Sequence, residues 1–281
     1  MQHQNSFITK RLLPAATLAL ALSADVCQVR AQIITLTDNN SVVRVDTGSS
    51  AGMFNWMVEG QNQLAQQWFW YRVGATGPET PINTISAPAI STPNAQTLYT
   101  SYFNGSYGVR VNYSLVGGSP GSGYSDIGEG ISITNATTSP LDFHFFQYSD
   151  FDLGGTSGGQ TIQLGRNLHG LFNEAYQSLG GNTFNETVIT PGANHGEAGL
   201  FNTTLVKLNN GVTDNLNDNP GPVGPGDATW AFQWDFQIAP GSSVLISKDK
   251  YIQLAVPEPS ALALLSVGLA GLALRRRRTS V

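Results

Sequence analysis

Cysteine is almost missing from this chain, and charge is sparse. The single cysteine, Cys27, lies near the start, so no disulfide framework and no set of thiolate ligands can hold the fold. Only 12% of the 281 residues are charged. Helical periodicity is equally scarce: few stretches place apolar residues at i, i+3 and i+4. Long apolar runs are confined to residues 12–24 and 261–274.

Between those runs, short segments rich in β-branched and aromatic residues alternate with Gly, Pro, Asn and Ser clusters, the pattern of an all-β protein. Strands are expected over 33–37, 42–45, 53–59, 67–73, 97–103, 107–116, 128–135, 141–151, 160–164, 170–177, 187–190, 229–238 and 243–254. Asn104-Gly105-Ser106 and Ala239-Pro240-Gly241-Ser242 read as hairpin turns. Trp230, Phe232, Trp234 and Phe236 share one face of a strand, because side chains alternate with period two. Phe201, Leu205 and Leu208, with Gly211 to end it, predict one short helix. The expected architecture is an antiparallel β-sandwich of jelly-roll type over residues 32–254, with an N-terminal signal helix and a C-terminal transmembrane helix.

Lys10 and Arg11 precede the first apolar run, and Ala31 and Gln32 flank a cleavage site with small residues before it. Residues 1–31 therefore read as a secretory signal peptide. Cys27 follows Ala24-Asp25-Val26, a poor lipidation box. Without its two ends the body keeps 7 basic and 17 acidic residues, a net of −10. Such a surface repels phosphate backbones and excludes nucleic acid as a partner.

The other end has three parts over residues 255–281: Val256-Pro257-Glu258-Pro259-Ser260, the apolar run, and Arg275, Arg276, Arg277 and Arg278. Each proline fixes φ and pushes the residue before it toward extended geometry, so the motif is a stiff, accessible peptide. The four arginines favour the cytoplasmic side of a membrane, which leaves the body outside. This order resembles the PEP-CTERM sorting signal of Gram-negative bacteria. The resemblance implies an exosortase as partner, transient residence in the inner membrane, and delivery to the cell surface or medium. The run Gly221-Pro222-Val223-Gly224-Pro225-Gly226-Asp227, followed by the 230–236 aromatic strand, is similar to cargo domains found on such tails. It carries no catalytic residues across.

Candidate chemistry is thin. Gly117-Gly118-Ser119-Pro120-Gly121 and Gly155-Thr156-Ser157-Gly158-Gly159 match G-x-S-x-G, but neither serine is followed by the helix a nucleophile elbow needs. Asp150 and Asp152 share a strand face before a turn, which suits calcium better than glycoside hydrolysis, whose carboxylates flank the substrate. The oxygen-rich Asp214 to Asn219 misses the EF-hand spacing at Leu216 and reads as a loop. His195-Gly196-Glu197 resembles the start of a zinc-deaminase motif, but the required cysteines do not exist. His144, among aromatics, reads as a hydrogen-bonded, half-buried histidine, and His169 has no partner nearby in sequence. Trp68 and Trp70 lie on one strand face and are candidates for stacking on sugar rings. The expected function is non-enzymatic: an exported envelope or extracellular-matrix protein with a structural or exopolysaccharide-associated role. No cofactor is expected unless calcium binds. A secreted polysaccharide hydrolase and a calcium-dependent adhesion module are the alternatives.

Overall fold

The computed structural model describes residues 32–256. The expected signal peptide with Ala31, the residues from Pro257 through Ser260, the expected transmembrane helix and the arginine block lie outside them. In chain order the strands are β1 (Ile33–Asp38), β2 (Ser41–Asp46), β3 (Gly52–Val58), β4 (Gln61–Asn62), β5 (Gln66–Val73), β6 (Thr80–Pro81), β7 (Ala89–Asn94), β8 (Thr97–Phe103) and β9 (Tyr107–Gly117). They continue as β10 (Tyr124–Asn135), β11 (Leu141–Asp150), β12 (Gln160–Arg166), β13 (Phe172–Leu179), β14 (Asn182–Thr190), β15 (His195–Leu200), β16 (Val223–Gly226), β17 (Ala228–Ile238) and β18 (Ser243–Gln253). Among the described residues a single α-helix, α1 (Thr203–Lys207), stands at the position of the expected helical spacing. It is shorter than that reading, and Phe201 is exposed. Thr203 and Thr204 are weak helix formers. Among the described residues no helix is long and apolar enough to cross a membrane.

The strands form two nine-stranded sheets. The first runs β1-β2-β3-β5-β11-β17-β15, with β4 and β6 paired on its flank; the second runs β16-β12-β13-β14-β18-β10-β9-β8-β7. Nearly all pairs are antiparallel, the short β3–β5 contact being parallel. Consecutive strands β7 to β10 and β12 to β14 are neighbours, a meander order. That departs from the expected jelly roll, which has eight strands in two Greek keys. The turn at residues 239–242 also differs from its reading as a hairpin. It carries the chain from β17 in the first sheet to β18 in the second.

The sheets face each other through an aromatic core. Trp230, Phe232 and Trp234 are fully buried on the β17 face read from the sequence. Phe151 stacks on Trp230 at 5.3 Å, and Phe69 on Phe145 at 5.4 Å. Such pairs add about 0.5–1.5 kcal/mol beyond area burial. Segments from the 74–88 and 200–219 stretches close over the other side of the first sheet. Arg72 of β5 there pairs with Glu79 and donates to the Asp214 carbonyl at 2.7 Å. Leu208 and Leu216 are buried in this cover. The loop from Asp214 to Asn219 is therefore structural, as its missed spacing suggested.

Candidate functional site

The cover over the first sheet decides the fate of Trp68 and Trp70. Both indoles are fully buried. Trp68 Nε1 donates to Asn83 at 3.1 Å and Trp70 Nε1 to Asn209 at 3.2 Å. Neither offers a ring face to a sugar, so the stacking role read from their shared face is corrected. Period two reports which residues share a face, and an added layer of loops buries that face.

Asp150 and Asp152 come together with a third carboxylate that sequence reasoning missed. Asp150 ends β11, Asp152 follows it, and Asp227 precedes β17. The β11–β17 register sets Asp150 opposite Thr229, which draws Asp227 alongside. One carboxylate oxygen from each lies within 4.8 Å of the others. The backbone pins all three: Ala65 N donates to the Asp150 carbonyl at 3.0 Å, Asp152 N to the Gln63 carbonyl at 2.9 Å, and Phe201 N to the Asp227 carbonyl at 2.7 Å. Each aspartate keeps a buried Oδ1 with no hydrogen-bond partner. None of the three joins an ion pair among the described residues.

Burial and the charges of Asp227 and Asp152 push the Asp150 carboxyl up to about 7. Burial also raises Asp152, with Asp227 adding to it, and raises Asp227. Such a group has two resting states: it holds protons, or it holds a cation. Calcium takes oxygen ligands at about 2.3–2.6 Å, so two oxygens on one ion lie at most about 5 Å apart. The three residues fit that limit.

A second cluster lies along the β11–β17–β15 edge. His144 Nδ1 meets Asp235 at 2.5 Å; His195 Nε2 meets the same carboxylate at 3.4 Å and its Nδ1 meets Asp218 at 3.0 Å. Arg166 stands 3.9 Å from Asp218. The half-buried, hydrogen-bonded His144 matches its reading, and His169 is exposed in a turn. Glu197, next but one to His195, binds Lys207 at 2.6 Å and Thr204 at 2.6 Å. It clamps α1 to β15. Ser119 and Ser157 sit in loops and precede no helix.

The outer face of the second sheet is open. Inward and outward residues alternate along the whole of β10. Tyr124 and Tyr251 stack there with ring centres 6.4 Å apart and planes at 27°. Tyr124 donates to Asp126 at 3.1 Å. Burial and the neighbouring Asp249 raise the Asp126 carboxyl to about 6. Beside them Gly128 and Gly130 face outward with nothing nearer than 3.9 Å to the place of a Cβ. The layer of side chains therefore has a gap, edged by two aromatic rings and two carboxyls. Further along, Arg110 lies over Tyr99 at 5.0 Å, in a groove also lined by Ile90 and Thr100.

No curated protein matches the sequence. Solved structures resemble the fold. A bacterial glucoamylase complexed with acarbose superposes with a TM-score of 0.56 at 9% identity, covering 85% of this chain and 34% of that one. The chain thus spans about a third of the glucoamylase's length. A candidate aldose 1-epimerase from Escherichia coli K12 has a TM-score of 0.52 at 12% identity, covering 80% of this chain and 99% of that one. The Slr1438 protein of Synechocystis sp. PCC 6803 has a TM-score of 0.51 at 10% identity, covering 81% and 97%. At these identities the likeness is one of fold alone. Residues 255–278 match the PEP-CTERM protein-sorting motif. On that match the chain is a PEP-CTERM domain-containing protein.

Proposed function

We propose that this chain is an exported, exosortase-processed protein of the envelope or extracellular matrix, with a non-enzymatic, exopolysaccharide-associated role. The outer face of the second sheet carries the reading. The Tyr124–Tyr251 stack supplies apolar ring surface, the outward glycines give access, and Asp126 and Asp249 accept hydroxyl hydrogen bonds. Sugar rings are met by that combination of aromatic body and placed polar groups. The sorting motif supplies the route: export, a stay in the inner membrane, and cleavage near Pro257-Glu258-Pro259 before arrival at the surface or medium. The absence of an enzymatic role is part of the proposal. Asp150 is only 4% exposed, so a glycosidic bond has poor access to it.

Affinity electrophoresis through the producing organism's own exopolysaccharide tests the face. The wild-type protein is expected to be retarded, and Tyr124→Ala with Tyr251→Ala to run unretarded. Equal retardation of both would overturn the assignment. For the route, Pro257→Ala with Pro259→Ala is expected to block tail removal; unchanged processing would remove the exosortase step.

A second reading adds calcium, and the acidic centre favours it. Asp150, Asp152 and Asp227 would hold the ion, joining the end of β11 to the start of β17. Calcium there supplies positive charge and the body supplies rigidity, as in a calcium-dependent adhesion module.

A further inference from the structure

The centre of the sandwich holds four charged side chains that no part of the proposed function uses. Lys248 and Lys250 of β18, Glu129 of β10 and Glu186 of β14 point inward from the second sheet, and all are at most 3% exposed. Gln147 of β11 and Gln67 of β5 reach them from the first sheet, both fully buried.

Their arrangement is specific. Lys248 Nζ contacts both the Gln147 Oε1 atom and a Glu129 oxygen, and stands 3.5 Å from Glu186. The Gln147 amide nitrogen donates to both Glu186 oxygens, at 3.0 and 2.7 Å, and to Ser149 at 3.1 Å. The ring of Phe69 lies 5.2 Å from Lys248 Nζ and that of Trp234 5.9 Å. An amine, a carboxamide and a carboxyl at each end of the reacting pair are thus held together in a dry aromatic enclosure. Water is excluded, so hydrolysis does not compete. The fixed geometry replaces an encounter between separate reactants.

We propose that Lys248 and Gln147 form an intramolecular isopeptide bond that staples the two sheets together. Glu129 takes one proton from the Lys248 ammonium. The free amine then attacks Cδ of Gln147, forming a new C–N bond. The excess proton on the attacking nitrogen passes through the carboxyls to the amide nitrogen held by Glu186. The old Cδ–Nε2 bond breaks and ammonia leaves. The products are one secondary amide, one ammonia and a protonated Glu129, with no oxidant or co-reactant required. The reaction also removes one cation and one anion from the core. Lys250 and Gln67 are the less suited pair: Lys250 donates to Gln67 at 3.0 Å, but the Gln67 amide nitrogen reaches only Glu129, at 3.4 Å. That leaves one carboxyl to serve both ends.

Peptide mass spectrometry of the denatured, digested full chain tests the bond. The expected product is a branched peptide joining the segments that carry Gln147 and Lys248, lighter by about 17 Da than their sum through loss of ammonia. Lys248→Arg is expected to abolish the branched peptide, and Glu129→Gln to reduce its yield by at least tenfold in soluble protein. Separate peptides of full mass in the wild type would overturn the proposal. A branch joining Lys250 to Gln67 would overturn the assignment to Lys248.

Discussion

Two clusters of ionisable groups, one buried and one partly buried, sit in this body, and they handle charge in opposite ways. The one between the sheets is balanced before the proposed staple forms: two lysines face two glutamates, with two glutamines filling the remaining hydrogen bonds. Burial alone would raise Glu129, but the adjacent Lys248 and Lys250 hold its carboxyl below the ordinary value. The one at the end of β11 is unbalanced: three aspartates meet with no cation among their partners, and all three carboxyls are pushed up. A balanced cluster completes itself inside the fold. An unbalanced one needs something from solvent, either protons or a metal ion.

The largest way to break this contrast is to unbalance the central cluster. Glu129→Ala leaves Lys248 and Lys250 buried without their shared counter-charge. Removing one partner of such a group costs about 3–5 kcal/mol, and urea denaturation should show a loss of that order. A much smaller loss would mean that the lysines are not held by Glu129.

The next effect comes from balancing the acidic cluster. A cation that binds only the folded state stabilises it by about 2.7 kcal/mol at a hundredfold excess over Kd. Calcium should therefore raise the melting temperature, and chelator should lower it. The same comparison sharpens with pH. Burial and its acidic neighbours push the Asp150 carboxyl up to about 7, from an ordinary value of 3.8, so in chelator the native state binds more protons than the unfolded chain between those values. Stability in chelator is fully present below about pH 4 for this group and is lost as pH rises through about 7. Saturating calcium should remove that slope, because the ion favours the ionised form. Melting curves across this range, with and without calcium, check the sign. An apo body whose acidic cluster adds stability as pH rises would contradict it.

The smallest effect is expected at the outer tyrosines. Tyr251 is 37% exposed, so Tyr251→Ala should change stability by no more than about 0.5 kcal/mol while weakening retention by exopolysaccharide. A large loss of stability would show the ring to be structural.

Much of the fold was legible in the sequence, because strands such as β9, β10 and β17 carry their own alternation. The strands missed were those that neighbours impose. β15 contains Gly196 and Gly199, β16 contains Gly224 and Pro225, and β7 contains Pro93. None has the propensity to declare itself, and β7 is an edge strand, where proline is tolerated. Two of the three aspartates of the acidic centre were visible, since Asp150 and Asp152 lie two residues apart. Asp227 was not, because only the β11–β17 register brings it near. The central cluster stayed hidden for a different reason. Lys248 and Lys250 alternate with Asp249 and Tyr251 on a strand that looks half-wet, and the inward face turned out to be the one carrying the lysines.

Calorimetric titration of the mature protein with calcium, repeated on Asp227→Asn, tests the central claim most directly. The acidic centre predicts that a single ion binds each chain and that the substitution abolishes the binding. No binding to the wild type, or equal binding to the variant, would contradict the claim that this cluster is completed by a cation.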